Sequence, residues 1–187
     1  MQIKEPKPKS CKVCKAKFTP RASTQVVCSW QCSLVHTSKE KEKRERKDYR
    51  EKKEALKTRS EWLKEAQVVF NRYIRERDKD LPCVSCVQHR NSYDAGHYRS
   101  VGAAPQLRFN EDNVHKQCVH CNQHKSGNAI DYRINLVKRI GLERVEKLES
   151  DNEPAKYTIE DAKEIKKLYN QKIKQLGVNH GKEEGRD

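Results

Sequence analysis

The apolar residues of this chain recur at helical spacing in its middle part. From Trp62 to Ile74 they lie three and four residues apart, which predicts a helix with one buried face. Thr58 and Glu61 have the spacing of a capping box, so we expect the helix to begin there. The proline of Leu81-Pro82 predicts that the helix has ended before this point.

Two more amphipathic helices are predicted downstream. Apolar residues between Ile134 and Ile140 favour a helix that stops near Gly141, where a left-handed terminal residue costs little. A last helix is expected from Thr158, as its cap, to Leu176. Its apolar stripe either closes the domain or pairs with a second subunit.

Two segments lack apolar periodicity. Between Lys39 and Lys57 ten basic and six acidic residues alternate, with opposite charges one helical turn apart. Residues 37–57 are therefore expected to form an exposed helix or a linker, which is either a basic arm along phosphates or a solvated spacer. Residues 177–187 are polar, which predicts a disordered tail.

Composition narrows the class of fold. Of the 187 residues, 34% are hydrophobic and 36% charged, which is poor in core-forming side chains. Small, metal-stabilised cores joined by solvated helices are expected. All eight cysteines form short pairs, and the chain shows no signal peptide and no apolar run of membrane-spanning length. These features favour a reducing cytosol and metal ligation over disulfides.

Two Cys-x-x-Cys motifs, Cys83 with Cys86 and Cys118 with Cys121, carry the strongest chemical signal. Two such turns complete the tetrahedral four-sulfur shell of structural zinc. This shell leaves no open position, so the metal is expected to hold the fold and do no chemistry. The alternative is a pair of disulfides or ordinary buried thiols.

Residues 1–36 are expected to form a second zinc module, in which Cys11 and Cys14 pair with Cys28 and Cys32. A domain of ~30 residues cannot fold on hydrophobic burial alone, so metal is its expected source of stability. DNA contact, partner contact and a purely structural role remain open for it.

The formal net charge is +14, with 41 Lys and Arg against 27 Asp and Glu. This excess favours a polyanionic partner, and nucleic acid is the leading candidate. The alternative is that the charge only keeps a poorly hydrophobic chain in solution.

Candidates for phosphodiester hydrolysis cluster between the two zinc knuckles. His97 follows a short predicted strand and is a candidate general base, because imidazole accepts a proton near neutral pH. Asn122 directly follows a zinc ligand and offers an amide oxygen to a hard cation such as Mg²⁺. Asn113 lies in the loop before the second knuckle, where its amide is expected to orient the backbone that presents His97.

Asp94 is the carboxylate nearest to His97 and the natural charged metal ligand. Residues three apart on a regular strand face opposite sides, so this pairing requires a bulge or turn, which Gly96 would permit.

The order of Cys-x-x-Cys, His97, Asn113 and Cys-x-x-Cys-Asn122 with Lys125 resembles the HNH, or His-metal finger, endonucleases. RERDKDLPCVSC, YDAGHYRS, APQLRFNEDNVHKQC and CNQHKSGN are more closely similar to the NinG family of lambdoid phages, also called Rap. The similarity covers residues 11 to about 176.

The resemblance implies an α+β, mainly helical fold. Its ββα-metal core, braced by zinc, would occupy residues 58–176 with flanking helices, beside the small N-terminal zinc module. It further implies a Mg²⁺-dependent endonuclease, with Mn²⁺ as an alternative metal, that cuts Holliday junctions and D-loops during phage recombination. The substrate implies action in the host cytoplasm, with no membrane contact, and recombination proteins are candidate partners.

By the same resemblance, His97 is the general base, Asn113 the organising asparagine and Asn122 a metal ligand. Relatives often carry an acidic ligand where this chain has Gly96, so Asp94, His115 or His124 would complete the shell. The candidate phosphate contacts are Arg99, Arg108, Lys116 and Lys125. A homodimer suits the near two-fold symmetry of a junction. The alternative function is a non-catalytic zinc protein that binds branched DNA or recruits recombination partners.

Overall fold

The computed structural model describes residues 7–154 and 156–183, with side chains as far as residue 177. The chain divides into two compact units, Met1–Lys57 and Thr58–Asp187. Among the described residues no helix is both long and apolar enough to cross a membrane.

The first unit contains a two-stranded sheet and one long helix. Strands β1 (Lys9–Ser10) and β2 (Lys17–Phe18) are antiparallel, and α1 spans Trp30–Ala55. The side-chain oxygen of Ser29 accepts a hydrogen bond from the backbone N–H of Cys32, which caps α1. The helix therefore begins seven residues before the expected position 37, and Cys32 lies in its first turn.

Of the two alternatives for residues 37–57, the structure has the helix, which continues as far as Ala55. No residue of α1 is buried. Ion pairs one turn apart run along its surface, and they join Lys41 to Glu45, Arg46 to Glu42, and Lys47 to Glu51. Such exposed pairs add little each, so α1 depends on many weak local interactions.

The second unit is mainly helical. It contains, in chain order, α2 (Arg59–Arg77), β3 (Tyr93–His97), a 3₁₀ turn (Pro105–Leu107), β4 (Val114–Cys118), a π-helical turn (His120–His124), α3 (Ala129–Ile140), α4 (Leu142–Ser150) and α5 (Ile159–Glu183). The antiparallel pair β3–β4 forms its sheet. The expected α+β, mainly helical class is confirmed at this level.

Local signals located the helix ends well. Thr58 and Glu61 form the reciprocal capping box that begins α2. Gly141, with φ 88°, ends α3. Thr158 and Asp161 cap α5 through two hydrogen bonds between side chain and backbone.

The end of α5 was predicted wrongly. The helix runs through Gly177 to Glu183, where disorder was expected. One glycine costs a helix only about 1 kcal/mol, which is too little to stop it. Residues 184–187 of the expected tail lie outside the described residues.

Two apolar clusters form the core of the second unit. In the first, α2 packs against α5 and one face of the hairpin, and Phe70 contacts Phe109 and Tyr169 edge to face. The second joins α3 and α4 to Val84 and Leu107. The apolar stripe of α5 is thus used within the chain, which decides between the two alternatives in favour of closing the domain.

Candidate functional site

The tetrad of Cys83, Cys86, Cys118 and Cys121 has the geometry of a closed zinc site. Its four sulfur atoms all lie within 4.8 Å of one another, and Cys86 Sγ is 3.9 Å from Cys118 Sγ. A tetrahedral ion with Zn–S bonds of 2.3 Å separates its sulfurs by about 3.8 Å. A disulfide would require about 2.05 Å. The donor set therefore fits zinc, with no open coordination position.

Hydrogen bonds to sulfur support this tetrad. The backbone N–H of Cys118 donates to Cys83 Sγ at 3.3 Å. The backbone N–H of Cys121 donates to Cys118 Sγ at 3.4 Å. Asn128 Nδ2 donates to Cys121 Sγ at 3.8 Å. Burial raises the pKa of the Cys83 thiol, but backbone N–H donors outweigh it and the net direction is downward. A thiolate, the form that binds metal, is favoured there.

The tetrad of Cys11, Cys14, Cys28 and Cys32 also lies within 4.8 Å. Cys28 Sγ is 3.5 Å from Cys14 Sγ and 3.8 Å from Cys32 Sγ, which again fits zinc and excludes a disulfide. Cys11 is buried, whereas Cys14 is exposed. In the described residues these two tetrads are the only groups of three or more His, Cys, Asp or Glu side chains at metal-binding distance.

The β3–β4 hairpin is regular. Its pairs run from Tyr93 opposite Cys118 to His97 opposite Val114 without an extra residue. The bulge expected at Gly96 is therefore absent, and Asp94 and His97 lie on opposite faces of the strand. Asp94 shares its face with Gly96.

Gly96 has a steric role instead. A Cβ added there would lie 2.1 Å from Gln117 Oε1 and 2.8 Å from Gln117 Cβ. The Gln117 side chain is fully buried and donates at 2.6 Å to Ser85 Oγ and to the carbonyl of Gly127. It thus ties the hairpin to the first cysteine turn, at Ser85, and to the segment before α3, at Gly127, and an acidic side chain has no room at position 96.

Asp94 and Asn122 lie together on the face opposite His97. Asp94 Oδ2 accepts hydrogen bonds from Asn122 Nδ2 at 2.9 Å and Gln123 Nε2 at 2.8 Å. The π-helical turn His120–His124, which contains Cys121, brings both amides to the strand. A carboxylate and an amide oxygen are the donors that Mg²⁺ prefers, so this pair fits a hard cation once the Asn122 amide is turned over.

His97 ends β3 and is partly buried. Its Nε2 lies 3.1 Å from the backbone carbonyl oxygen of Arg108. Burial lowers the pKa of His97, although the Arg108 carbonyl opposes this by favouring the protonated ring. The imidazole is therefore neutral at pH 7, the state in which it can accept a proton.

Asn113 closes the loop of residues 98–113, which carries the Arg108 carbonyl. Its buried side chain accepts from the Arg99 N–H at 2.8 Å and donates to the Arg99 carbonyl at 3.0 Å. A third bond, at 3.2 Å, reaches the carbonyl of Leu107. One amide thus fastens both ends of the loop, and the loop in turn holds the ring of His97.

The two alternative histidine ligands lie elsewhere. His115 is buried beside Tyr132, and burial, with Arg77 nearby, lowers the pKa of its ring to about 3. His124 is exposed, with its ring 5.9 Å from that of His120. Neither belongs to a group of three potential ligands within the described residues.

Two of the four candidate phosphate contacts are used inside the fold. The Arg99 guanidinium donates to the carbonyls of Leu148 and Asp151, at 2.7 and 2.6 Å, and so caps the C-terminus of α4. Lys116 is buried, and its Nζ donates to the Lys79 carbonyl at 2.7 Å. Both side chains are held by contacts within the protein, so we do not include them among the phosphate contacts proposed below.

The other two candidates remain accessible to a ligand. Arg108 is half-buried, and its Nε donates to Gln67 Oε1 at 2.8 Å. Lys125 is exposed.

Sequence reasoning missed Gln117, Gln123 and Glu111. Glu111 accepts hydrogen bonds from Tyr73 and Tyr169, at 3.0 and 3.2 Å, and so fixes the loop to α2 and α5. The signal for Gln117 was a polar residue at an inward-facing strand position. Gln123 and Glu111 carried no such signal, because their partners are distant in sequence.

Comparison with known proteins gives a consistent relationship. A family model described as "Bacteriophage Lambda NinG protein" matches residues 3–179. Proteins named NinG from Escherichia phage 933W and phage lambda are each 47% identical, over 92% and 87% of this chain and 95% and 89% of their own lengths. The NinG protein of Salmonella phage P22 is also 47% identical, over 87% of the chain and 90% of its own length. No solved structure matches.

Proposed function

This chain belongs to the NinG family of phage proteins, and from that premise we propose that it is a metal-dependent endonuclease acting on branched DNA. The substrates would be Holliday junctions and D-loops formed during phage recombination in the host cytoplasm. The observation that carries the proposal is the pairing of Asp94 with Asn122 beside a zinc-held turn, on the strand that ends with His97. The order of strand, loop, strand and helix is that expected of an HNH core.

His97 serves as the general base. Its neutral ring takes a proton from water, and the Arg108 carbonyl keeps the ring in one orientation. Asn113 acts through that loop and touches no substrate, so it is a positioning residue. Lys125 and Arg108 contact phosphates beside the cleaved bond.

Asp94 and Asn122 would hold the catalytic cation, Mg²⁺ or Mn²⁺. Such an ion neutralises charge that develops on the phosphoryl oxygens during hydrolysis. Three residues of extended strand separate Asp94 from His97 by about 10 Å. Because Asp94 and His97 lie on opposite faces of β3, a DNA strand that crosses the end of β3 would contact them on different sides of the strand.

A non-catalytic zinc protein that binds branched DNA is the second candidate. The placement of Asp94 and His97 on opposite faces of β3 favours it, as does the steric exclusion of an acid at Gly96. In this second candidate function, the hydrogen bond between His97 and the Arg108 carbonyl only stabilises the fold.

Cleavage of labelled four-way junctions decides between the two candidates. Mg²⁺ should be omitted or replaced by Ca²⁺ rather than chelated, because a chelator would also remove zinc. Endonuclease function predicts nicks with Mg²⁺ and none without it, at an unchanged zinc content. Binding without cleavage under all metal conditions would favour the non-catalytic protein.

Alanine at His97 tests the base directly. We expect His97→Ala to lower the cleavage rate by about 10²–10⁴-fold with unchanged affinity for the junction, because proton transfer contributes that much. The matched control, His89→Ala, removes an exposed histidine of the same unit and should cleave normally. A His97→Ala protein as fast as the wild type would exclude this mechanism.

Asparagine at Asp94 tests the metal pair. Asp94→Asn removes the charged donor while keeping the shape, so cleavage should require a higher Mg²⁺ concentration. Asp80→Asn, at an exposed position, is the control for lost charge. An unchanged Mg²⁺ dependence in Asp94→Asn would remove Asp94 from the proposed site.

A homodimer is also part of the proposal, because cutting two opposed strands of a junction suits two-fold symmetry. Light scattering of the protein alone and on junction DNA tests it. A mass of one chain in both conditions would contradict the dimer.

A further inference from the structure

The described part of the zinc module, taken together with the first residues of α1 as residues 7–39, carries basic residues without acidic ones. Residues 7–39 contain seven Lys and Arg and no Asp or Glu, namely Lys7, Lys9, Lys12, Lys15, Lys17, Arg21 and Lys39. From residue 40 to residue 57 the chain instead holds nine basic and six acidic residues. The excess positive charge of the first unit is therefore concentrated before position 40.

The basic side chains of the module are open to a ligand. Lys12, Lys15, Lys17 and Arg21 are exposed. Lys9 Nζ donates to the carbonyl of Ser23. Within the part of the chain that the structure describes, no ion pair involves a residue before Lys41.

The cysteine tetrad presents these cations on a short, held backbone. Lys12 lies inside the turn between Cys11 and Cys14, and its N–H donates to the Val26 carbonyl at 3.0 Å. Lys15 closes the same turn with φ 63°, and Lys17 begins β2. Cations on such a backbone lose less freedom on binding than those on a flexible tail.

The start of α1 adds to this surface. Its first turn contains no acidic residue, and the positive end of the helix dipole lies at Ser29 and Trp30. Trp30, the first residue of α1, is 71% exposed, which leaves a large aromatic ring open at the start of the helix. Unpaired cations with an exposed aromatic ring are typical of nucleic-acid surfaces.

In α1 itself, acidic partners one turn away neutralise much of the charge. We therefore propose that the zinc module, residues 7–39, binds the phosphate backbone of DNA, and that the charged part of α1 does not. Because it names where the DNA substrate is held, this inference deepens the proposed function and rests on it. The module would add affinity that is independent of base sequence and strongly dependent on salt.

Salt dependence of junction binding tests the location. The module variant is the full chain with Lys12→Gln, Lys15→Gln and Lys17→Gln together. All binding is measured in a His97→Ala background and without Mg²⁺, so that no cleavage occurs. The matched control carries Lys43→Gln, Lys52→Gln and Lys53→Gln in α1, which removes the same charge from exposed positions. Zinc content should stay at two ions per chain in both.

Junction binding is plotted as the logarithm of the binding constant against the logarithm of the salt concentration. The slope of this plot should become shallower by about 2 to 3 in the module variant, because each phosphate contact contributes ~0.9 to the slope. The control should change by less than about 1 in the same plot. Equal slopes for both variants, or no change in the module variant, would overturn the inference.

A membrane partner is the other outcome to exclude. Loss of binding to phosphatidylserine vesicles by the module variant, with unchanged junction binding, would overturn the inference in favour of a lipid surface. Failure of the endonuclease proposal is seen separately, as an absence of Mg²⁺-dependent nicks by the wild type, and it leaves the binding slopes intact.

Discussion

The two units each contain a four-cysteine tetrad, but they bury very different amounts of apolar surface around it. Of the described residues 7–57, only Cys11 and Pro20 are buried. The second unit buries two apolar clusters in addition to its tetrad. The same metal-binding motif therefore has two roles, because in the first unit little else opposes the entropy of the unfolded chain.

In the second unit a zinc ion held by the tetrad would stabilise one end of a structure that already has a core. The tetrad joins the turn at Cys83 to the end of β4, while α2 and α5 pack on each other in a separate apolar cluster. Loss of metal should consequently unfold residues 7–29 of the first unit and loosen only part of the second unit.

The largest effect is expected from removing one ligand of each tetrad. Cys11→Ser should abolish the structure of residues 7–29, since structural zinc contributes about 10–16 kcal/mol of apparent binding free energy. Cys83→Ser should loosen the two cysteine turns and leave α2 and α5 protected. Hydrogen exchange read by mass spectrometry, together with zinc content, separates these outcomes. Persistent protection of residues 7–29 without zinc would contradict the comparison.

A core substitution should affect the second unit alone. Phe70 is fully buried between Phe109 and Tyr169, so Phe70→Ala should lower the free energy of unfolding by about 3–5 kcal/mol. Val68, on the same helix, is 69% exposed. Val68→Ala should therefore change the free energy of unfolding by less than about 0.5 kcal/mol. Denaturant unfolding measures both. Similar losses for the two variants would mean that burial does not stabilise this unit as described.

The contact between hairpin and cysteine turns should be sensitive to one methyl group. Gly96→Ala should destabilise the second unit by about 1–3 kcal/mol, because its Cβ would overlap the buried side chain of Gln117. Gly102→Ala is the control, since the nearest atom to its Cβ would be 4.0 Å away. Thermal unfolding compares them. An equally stable Gly96→Ala protein would show that Gln117 moves freely.

Mild acid should weaken the second unit. The pKa of His115 is about 3 in the fold, below the ordinary value of 6.5, so the unfolded chain binds the proton first. The contribution of neutral His115 to stability is present above pH 6.5 and is lost as the pH falls. The free energy of unfolding should therefore decrease by about 1 kcal/mol between pH 6.5 and 5.5. Denaturant unfolding at these pH values should show it.

His115→Phe should remove most of this pH dependence, and the exposed His89→Ala should keep it. His97, whose pKa is also lowered, contributes with the same sign. The same slope in His115→Phe as in the wild type would assign the effect to other groups.

Much of the fold followed from short-range signals. The caps at Thr58 and Thr158, the stop at Gly141 and the pairing of cysteines into two tetrads all depend on residues close in sequence or on fixed ligand spacing. The short helix α4 was not predicted, since nine residues carry too few periodic positions to distinguish it from a loop.

The candidate site was predicted less completely. Asn113 was expected to orient the loop, and its buried amide bonds both ends of that loop. The expected bulge at Gly96 was wrong, because a distant side chain, Gln117, occupies the space beside it. Arg99 and Lys116 could not be separated from Lys125 by sequence, since all are cations near the same motifs.

Helix caps, cysteine turns and the uneven distribution of charge follow directly from the sequence, because they arise within a few residues of chain or from ligand chemistry. Contacts across longer separations, such as Asp94 with Asn122 and Arg99 with the end of α4, become visible only in the folded chain. Burial and the use of all of a side chain's charge inside the fold depend on how the whole unit packs, and residues close in sequence do not specify this packing.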